Sequence, residues 1–135
     1  DVEAHCPYPI NRGATEATQE WIFFSKIARE LDLAAHFDVV VTDRTIMDVI
    51  AYTYYLGFKS LADDMVMVSR RHMDSYQSIK LLTTCSFSYN YNDGIRDVNP
   101  NFRIGVENIL KKLYSLFFIG CHSFSSTYIN TILMP

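Results

Sequence analysis

Two rhythms of apolar residues run through this chain. Between Thr15 and Ala35 the residues Trp21, Phe24, Ala28, Leu31 and Ala35 recur at three and four. That spacing predicts a helix with one apolar face. Thr15 suits its N-cap and Glu16 its first turn. The rhythm breaks at Phe37-Asp38-Val39-Val40-Val41-Thr42-Asp43-Arg44. Three β-branched residues in a row predict a strand over 37–42, covered on both faces as in parallel α/β sheets. Thr45 caps the next predicted helix, which carries Ile46, Val49, Ile50, Thr53 and Tyr54 on one side and ends at Gly57. Leu61 to Ser75 reads as another helix, with Arg70-Arg71-His72 on a solvated face. Ile79 to Phe87 reads as a strand, and Ser88 to Pro100 as a loop with the turn signal Asp93-Gly94. Phe102 to Tyr114 is a helix ending near Lys111-Lys112, and Leu116 to Ile119 a short strand. Thr127 to Leu133 is a last helix or a frayed tail. Strands alternating with helices predict an α/β fold, a mainly parallel sheet with helical crossovers.

Composition narrows the partners. At 135 residues the length fits one domain, and 49% hydrophobic with 20% charged residues is ordinary for a globular chain. A formal charge of −3 offers no broad attraction to nucleic acid or to an anionic membrane. No segment reads as a signal peptide or reaches the roughly 18 apolar residues of a membrane span. Three cysteines without paired spacing (Cys6, Cys85 and Cys121) point to a reducing, cytoplasmic setting rather than a disulfide framework. The scattered histidines His5, His36, His72 and His122 show no metal-ligand spacing.

Asp43 and Arg44 stand where chemistry is expected. They fall at the carboxyl end of the predicted strand, the edge at which open α/β sheets bind ligands. An acid there holds the Mg²⁺ sphere or the attacking group in phosphoryl transfer, and a guanidinium matches phosphate oxygens in pairs. The alternative is a plain surface ion pair after a strand. Asp48, one helical turn beyond Arg44, is placed to orient it. Tyr52, Tyr54 and Tyr55 either stack on a base or line the core.

The order Cys6-Pro7-Tyr8-Pro9-Ile10-Asn11-Arg12-Gly13, then the helix with Gln19, Trp21, Ile22 and Phe23, then Asp43-Arg44, then Asp93-Gly94-Ile95-Arg96 and Phe102-Arg103 resembles the NadR-like AAA-type P-loop ATPases and small-molecule kinases. The likeness covers roughly residues 1–114. It implies a single P-loop NTPase-like domain over 1–135 with a lid-like segment at 88–103. In that reading Asp43 and Arg44 are catalytic, with Asp43 holding Mg²⁺ through water. Arg96 and Arg103 close on the phosphate, and Asp1, Asn11 and Arg12 face the acceptor substrate. ATP or GTP and Mg²⁺ are the implied cofactors, and a nucleoside-like hydroxyl compound the implied acceptor.

One departure matters. The family opens with a strand and a GxxxxGK(S/T) phosphate loop, whose backbone N–H groups and lysine surround the phosphates. The five glycines here (Gly13, Gly57, Gly94, Gly105 and Gly120) form no such motif. The resemblance therefore implies a partial domain, whether fragment, truncated product or degenerate relative. Weak Mg-ATP binding without turnover is expected of it. The family's missing first strand would lie between 37–42 and 79–86, so these should not pair within one chain. Self-association through the exposed sheet edge is the expected repair. The two readings of function are a phosphotransferase or ATPase domain, inactive in this form, and a non-catalytic binding or interaction domain.

Overall fold

A computed structural model describes residues 2–75, 81–83, 95, 97–117 and 122–124. Four α-helices carry the fold: α1 (Glu16–Ala34), α2 (Ile46–Tyr55), α3 (Lys59–Asp74) and α4 (Pro100–Phe117). Two 3-10 turns, Glu3–His5 and Asn11–Gly13, precede them. The expected α/β fold with a helix-covered parallel sheet is not what forms. Residues 37–42 belong to no strand, and Val39 and Val41 are 81% and 90% exposed. The described residues contain one short parallel pairing, of β1 (Leu81–Thr83) with β2 (His122–Phe124), which fixes Leu82 opposite Ser123. Residues 37–42 and β1 are thus not hydrogen-bonded neighbours, while the sheet expected around them is absent among the described residues. Leu116 and Phe117, expected in a strand, continue α4 instead. The expected tail element at 127–133 lies outside the described residues.

Local signals set the helix ends where the chain's own chemistry directs them. Thr15 accepts from Thr18 N, and Thr18 Oγ1 in return accepts from Thr15 N at 3.0 Å. Thr45 and Asp48 form the same reciprocal box at α2, with Thr45 N donating to Asp48 Oδ2 at 2.8 Å. Each box satisfies orphan donors of a first turn and contributes on the order of 1 kcal/mol. At the other end of α2, Gly57 takes φ 91, a left-handed turn that lets α3 fold back.

The helices bury one apolar cluster. α2 lies at its centre: Ile46, Val49, Ile50 and Thr53 are buried as their spacing predicts, and α1, α3 and α4 all pack on it. Phe102 of α4 meets Tyr52 at 5.5 Å and Tyr55 edge-on at 5.0 Å, so these two tyrosines belong to the core packing. Tyr54 instead donates to Asp63 of α3. Burial, with the Asp63 acceptor and charge behind it, pushes the Tyr54 phenol up to about 12.

α1 turns the opposite way from its apolar spacing. Phe24 and Leu31 are 56% and 53% exposed, and Ala28 and Ala35 are also at the surface. Thr18, Gln19, Ile22 and Phe23 face inward. The polar members of this stripe are satisfied there. Thr18 Oγ1 donates to the Pro9 carbonyl at 2.9 Å, and Gln19 Oε1 lies 3.1 Å from Thr53 Oγ1. Farther along the same face, Lys26 pairs with Glu3 at 3.3 Å and Glu30 with His72 at 2.8 Å. His72, expected on a solvated face, is therefore the α3 contact to α1, while Arg70 and Arg71 stay exposed.

Candidate functional site

The loop between α1 and α2 delivers Asp43 and Arg44 to a cleft of about 320 Å³. Lys26, Arg29, Glu30 and Leu33 of α1 form one wall, and Glu3 and Val2 close it. This volume lies in the lower part of the range of small-molecule sites, roughly 300–1,000 Å³. Behind Arg44 lies a second, narrow cavity of about 50 Å³, lined among others by Asn11, Gln19, Arg44, Asp48, Tyr52 and Ile95. Arg44 lines both spaces.

Backbone strain marks the same place. Among the described residues, the non-glycine residues with positive φ are Asn11 (φ 59) and Arg44 (φ 64), and both line the narrow cavity. Asparagine tolerates this region, but arginine pays about 1–2 kcal/mol for it. Such strain persists where surrounding structure over-determines it, and it concentrates at functional sites.

The polar groups have definite roles. Asn11 Nδ2 donates to the Ile95 carbonyl at 2.6 Å, which joins the N-terminal turn to the segment before α4. Arg12 Nε donates to the buried Asp97 carboxylate at 2.6 Å, and Asn99 N donates to the same carboxylate. Arg12, expected to contact substrate, is thus a tether between the same two segments. Arg44 has no carboxylate within 4.0 Å among the described residues; its guanidinium lies against the Tyr52 phenol. Burial raises the Tyr52 phenol, and the nearby Arg44 charge only partly offsets this, so the hydroxyl stays protonated as a donor. Asp48 does not clamp Arg44. Its carboxylate is taken up by the Thr45 cap, and the Arg44 charge acts on it from farther away.

Of the remaining candidates, Asp43 stands exposed at the cleft. It offers Mg²⁺ one carboxylate, and no cluster of three or more His, Cys, Asp or Glu side chains exists among the described residues. Arg103 lies in the first turn of α4 and lines neither space. Asp1, Arg96 and half of the 88–103 segment fall outside the described residues, as does the mobility expected of that segment. Sequence reading missed Gln19 and Lys26 as lining residues, and left Tyr52 open between stacking on a base and lining the core. Only the three-dimensional turn of α1 brings Gln19 and Lys26 inward. No helix among the described residues is long and apolar enough to cross a membrane.

Asp48 supplies a pH test. Burial raises its pKa above 3.8, against lowering by the Thr45 hydrogen bond and the Arg44 and Lys26 charges. The folded state therefore binds this proton more tightly than the unfolded state does. The stabilisation is complete below the unfolded value and is lost as pH rises through the folded one. Asp48→Asn keeps an oxygen for Thr45 N and removes the titration. Urea midpoints measured at a series of pH values above 3.8 should fall less steeply with rising pH in the variant than in the parent. Equal slopes would show that the Asp48 carboxylate is solvated as freely in the folded chain as in the unfolded one.

No protein-family model, curated protein or solved structure matches this chain.

Proposed function

We propose that this chain is a small-molecule-binding domain whose cleft takes a compact compound bearing a phosphate, with Arg44 as the anion contact. The observation that carries this reading is Arg44 itself. It is a half-buried guanidinium in a left-handed backbone, lining two adjoining cavities, with no carboxylate within 4.0 Å among the described residues. A cation in that state matches a dianionic group, and a guanidinium engages phosphate oxygens two at a time. Lys26 and Arg29 add positive charge on the facing wall, although Lys26 is shared with Glu3 and Arg29 with Asp32. Asp43 at the mouth is suited to accept a hydrogen bond from a ligand hydroxyl.

The resemblance to small-molecule kinases supports the same ligand class, and Asp43-Arg44 is the part of it that meets this cleft. Phosphoryl transfer asks for more. It needs a cradle of donors around the transferred group, and this sequence holds no GxxxxGK(S/T) loop. Binding without turnover is the function proposed for these 135 residues.

Titration with inorganic phosphate and with adenosine monophosphate, followed by the Arg44 side-chain N–H resonance, tests the reading. Saturable binding at millimolar ligand is expected, weakened about tenfold or more in Arg44→Gln, since a charge-assisted hydrogen bond contributes about 1.5–3 kcal/mol. Absence of saturation, or equal affinity in Arg44→Gln, would overturn it. Arg44→Gly separates binding from folding. Glycine relieves the φ 64 strain, so the variant should lose ligand while its urea midpoint stays level or rises slightly.

A further inference from the structure

Gln19 is only 4% exposed, yet one end of its amide has no partner. Oε1 lies 3.1 Å from Thr53 Oγ1, while Nε2 makes no hydrogen bond among the described residues. No fully enclosed side-chain nitrogen or oxygen among them lacks a hydrogen bond, so Nε2 is not sealed off. The space that Gln19 lines is the narrow cavity of about 50 Å³ behind Arg44. Other groups reach the same space with capacity left over. Asn11 Nδ2 is held by the Ile95 carbonyl, which leaves its Oδ1. Asp48 Oδ2 accepts from Thr45, which leaves its Oδ1. The Tyr52 phenol lies against Arg44 and keeps a proton to donate.

This mixture of donors and acceptors selects its occupant. An anion would meet the carboxyl groups of Glu3 and Asp48. An ammonium would meet the Arg44 charge, and it has no lone pair to accept from Gln19. A neutral group that both donates and accepts satisfies both kinds of partner, and a hydroxyl is the smallest that does so. The volume has room for about three waters, so it suits a pair of hydroxyls on neighbouring carbons. Ile22 and Val49 supply apolar wall for those carbons.

We propose that the narrow cavity is a hydroxyl subsite and that the ligand is a short polyol phosphate. Its phosphate lies on Arg44 in the cleft, and its hydroxyls lie among Gln19, Asn11, Asp48 and Tyr52. Arg44 lines both spaces and so joins the two ends of one compound. This inference rests on the phosphate reading of Arg44. In the free protein the subsite suits bound water, which hydroxyls can replace while reproducing its hydrogen bonds.

Titrations of the full chain with glycerol 3-phosphate and with propyl phosphate test it, because the second carries a phosphate and no hydroxyl. Glycerol 3-phosphate should bind about tenfold more tightly, as its hydroxyls add neutral hydrogen bonds. It should also shift the Gln19 side-chain amide resonances, identified by their loss in Gln19→Met. That variant should shrink the preference for glycerol 3-phosphate about fivefold, the value of one neutral hydrogen bond. It should fold, because Thr53 Oγ1 still donates to the Val49 carbonyl at 2.7 Å. Equal affinity for the two phosphates, Gln19 resonances unmoved at saturation, or a preference unchanged in Gln19→Met would overturn the hydroxyl subsite and leave the Arg44 reading standing. Saturation by neither phosphate would overturn both. If Gln19→Met does not fold, the comparison of the two phosphates in the parent chain decides the matter.

Discussion

Phe23→Ala should remove a large share of the stability of this chain, whereas the same change at its neighbour Phe24 should remove little. Phe23 is completely buried in the cluster that joins α1 to α2, and Phe24 meets it edge-on at 5.3 Å from the outside. Emptying a fully enclosed phenylalanine site costs about 3–5 kcal/mol, through lost transfer energy and the cavity left behind. A domain of this size has a total of about 5–15 kcal/mol, so this one change removes a large share of it. Phe24→Ala gives up one ring pair and a half-solvated surface, about 1 kcal/mol or less. Urea unfolding followed by far-ultraviolet circular dichroism gives both values. Equal losses would mean that α1 presents its other face to the core.

That contrast shows where the sequence is a good guide and where it misleads. Three helix ends were legible because they rest on local chemistry, whereas the end of α4 was placed too early. Thr15, Thr45 and Gly57 act through their own backbone and the next few residues, and the structure uses all three as the sequence predicts. The face of α1 was not legible from apolar spacing. Trp21, Phe24, Ala28, Leu31 and Ala35 make a regular stripe, yet the buried stripe runs through Thr18, Gln19, Ile22 and Phe23. Polar residues can line the inner face because each finds a partner: Pro9 for Thr18, Thr53 for Gln19, Glu3 for Lys26 and His72 for Glu30. Those partners come from other elements, so no window along α1 reveals them.

The strand at 37–42 failed for a related reason. β-branched residues report how well a segment would fit a pleated surface, and a strand exists only where another strand supplies hydrogen bonds. The described residues supply none to Val39, Val40 and Val41. The site was legible in part. Asn11, Asp43 and Arg44 were singled out from sequence, and the structure brings Asn11 and Arg44 to one cavity and Asp43 and Arg44 to the other. Arg12 was singled out for its charge, but that charge is committed to Asp97. The spacing between positions 12 and 97 gives no hint of this pair.

Gly105→Ala should destabilise the chain, although alanine in place of glycine inside a helix ordinarily gains about 1 kcal/mol. Gly105 sits in the middle of α4, under the ring that ends α2. A Cβ added there would lie 2.0 Å from Tyr55 Cε2, 2.7 Å from Cδ2 and 2.9 Å from Cζ. Real carbon atoms do not approach so closely, so the ring must move. Tyr55 is 39% exposed and can swing outward, but doing so breaks its edge-on contact with Phe102. Loss of such a ring pair costs about 0.5–1.5 kcal/mol. Overpacking at a helix–helix contact adds about 1–3 kcal/mol. Set against the helix-propensity gain, the net expectation is a loss of about 1–2 kcal/mol. The variant Tyr55→Ala isolates the cause. In that background the obstruction is gone, and Gly105→Ala should become stabilising by about its propensity value. A double-mutant cycle measured by urea unfolding would therefore show Gly105→Ala changing sign with the residue at 55. If Gly105→Ala is stabilising in the parent chain as well, the Tyr55 ring moves without cost, and the close approach of α2 to α4 does not depend on a glycine at this position.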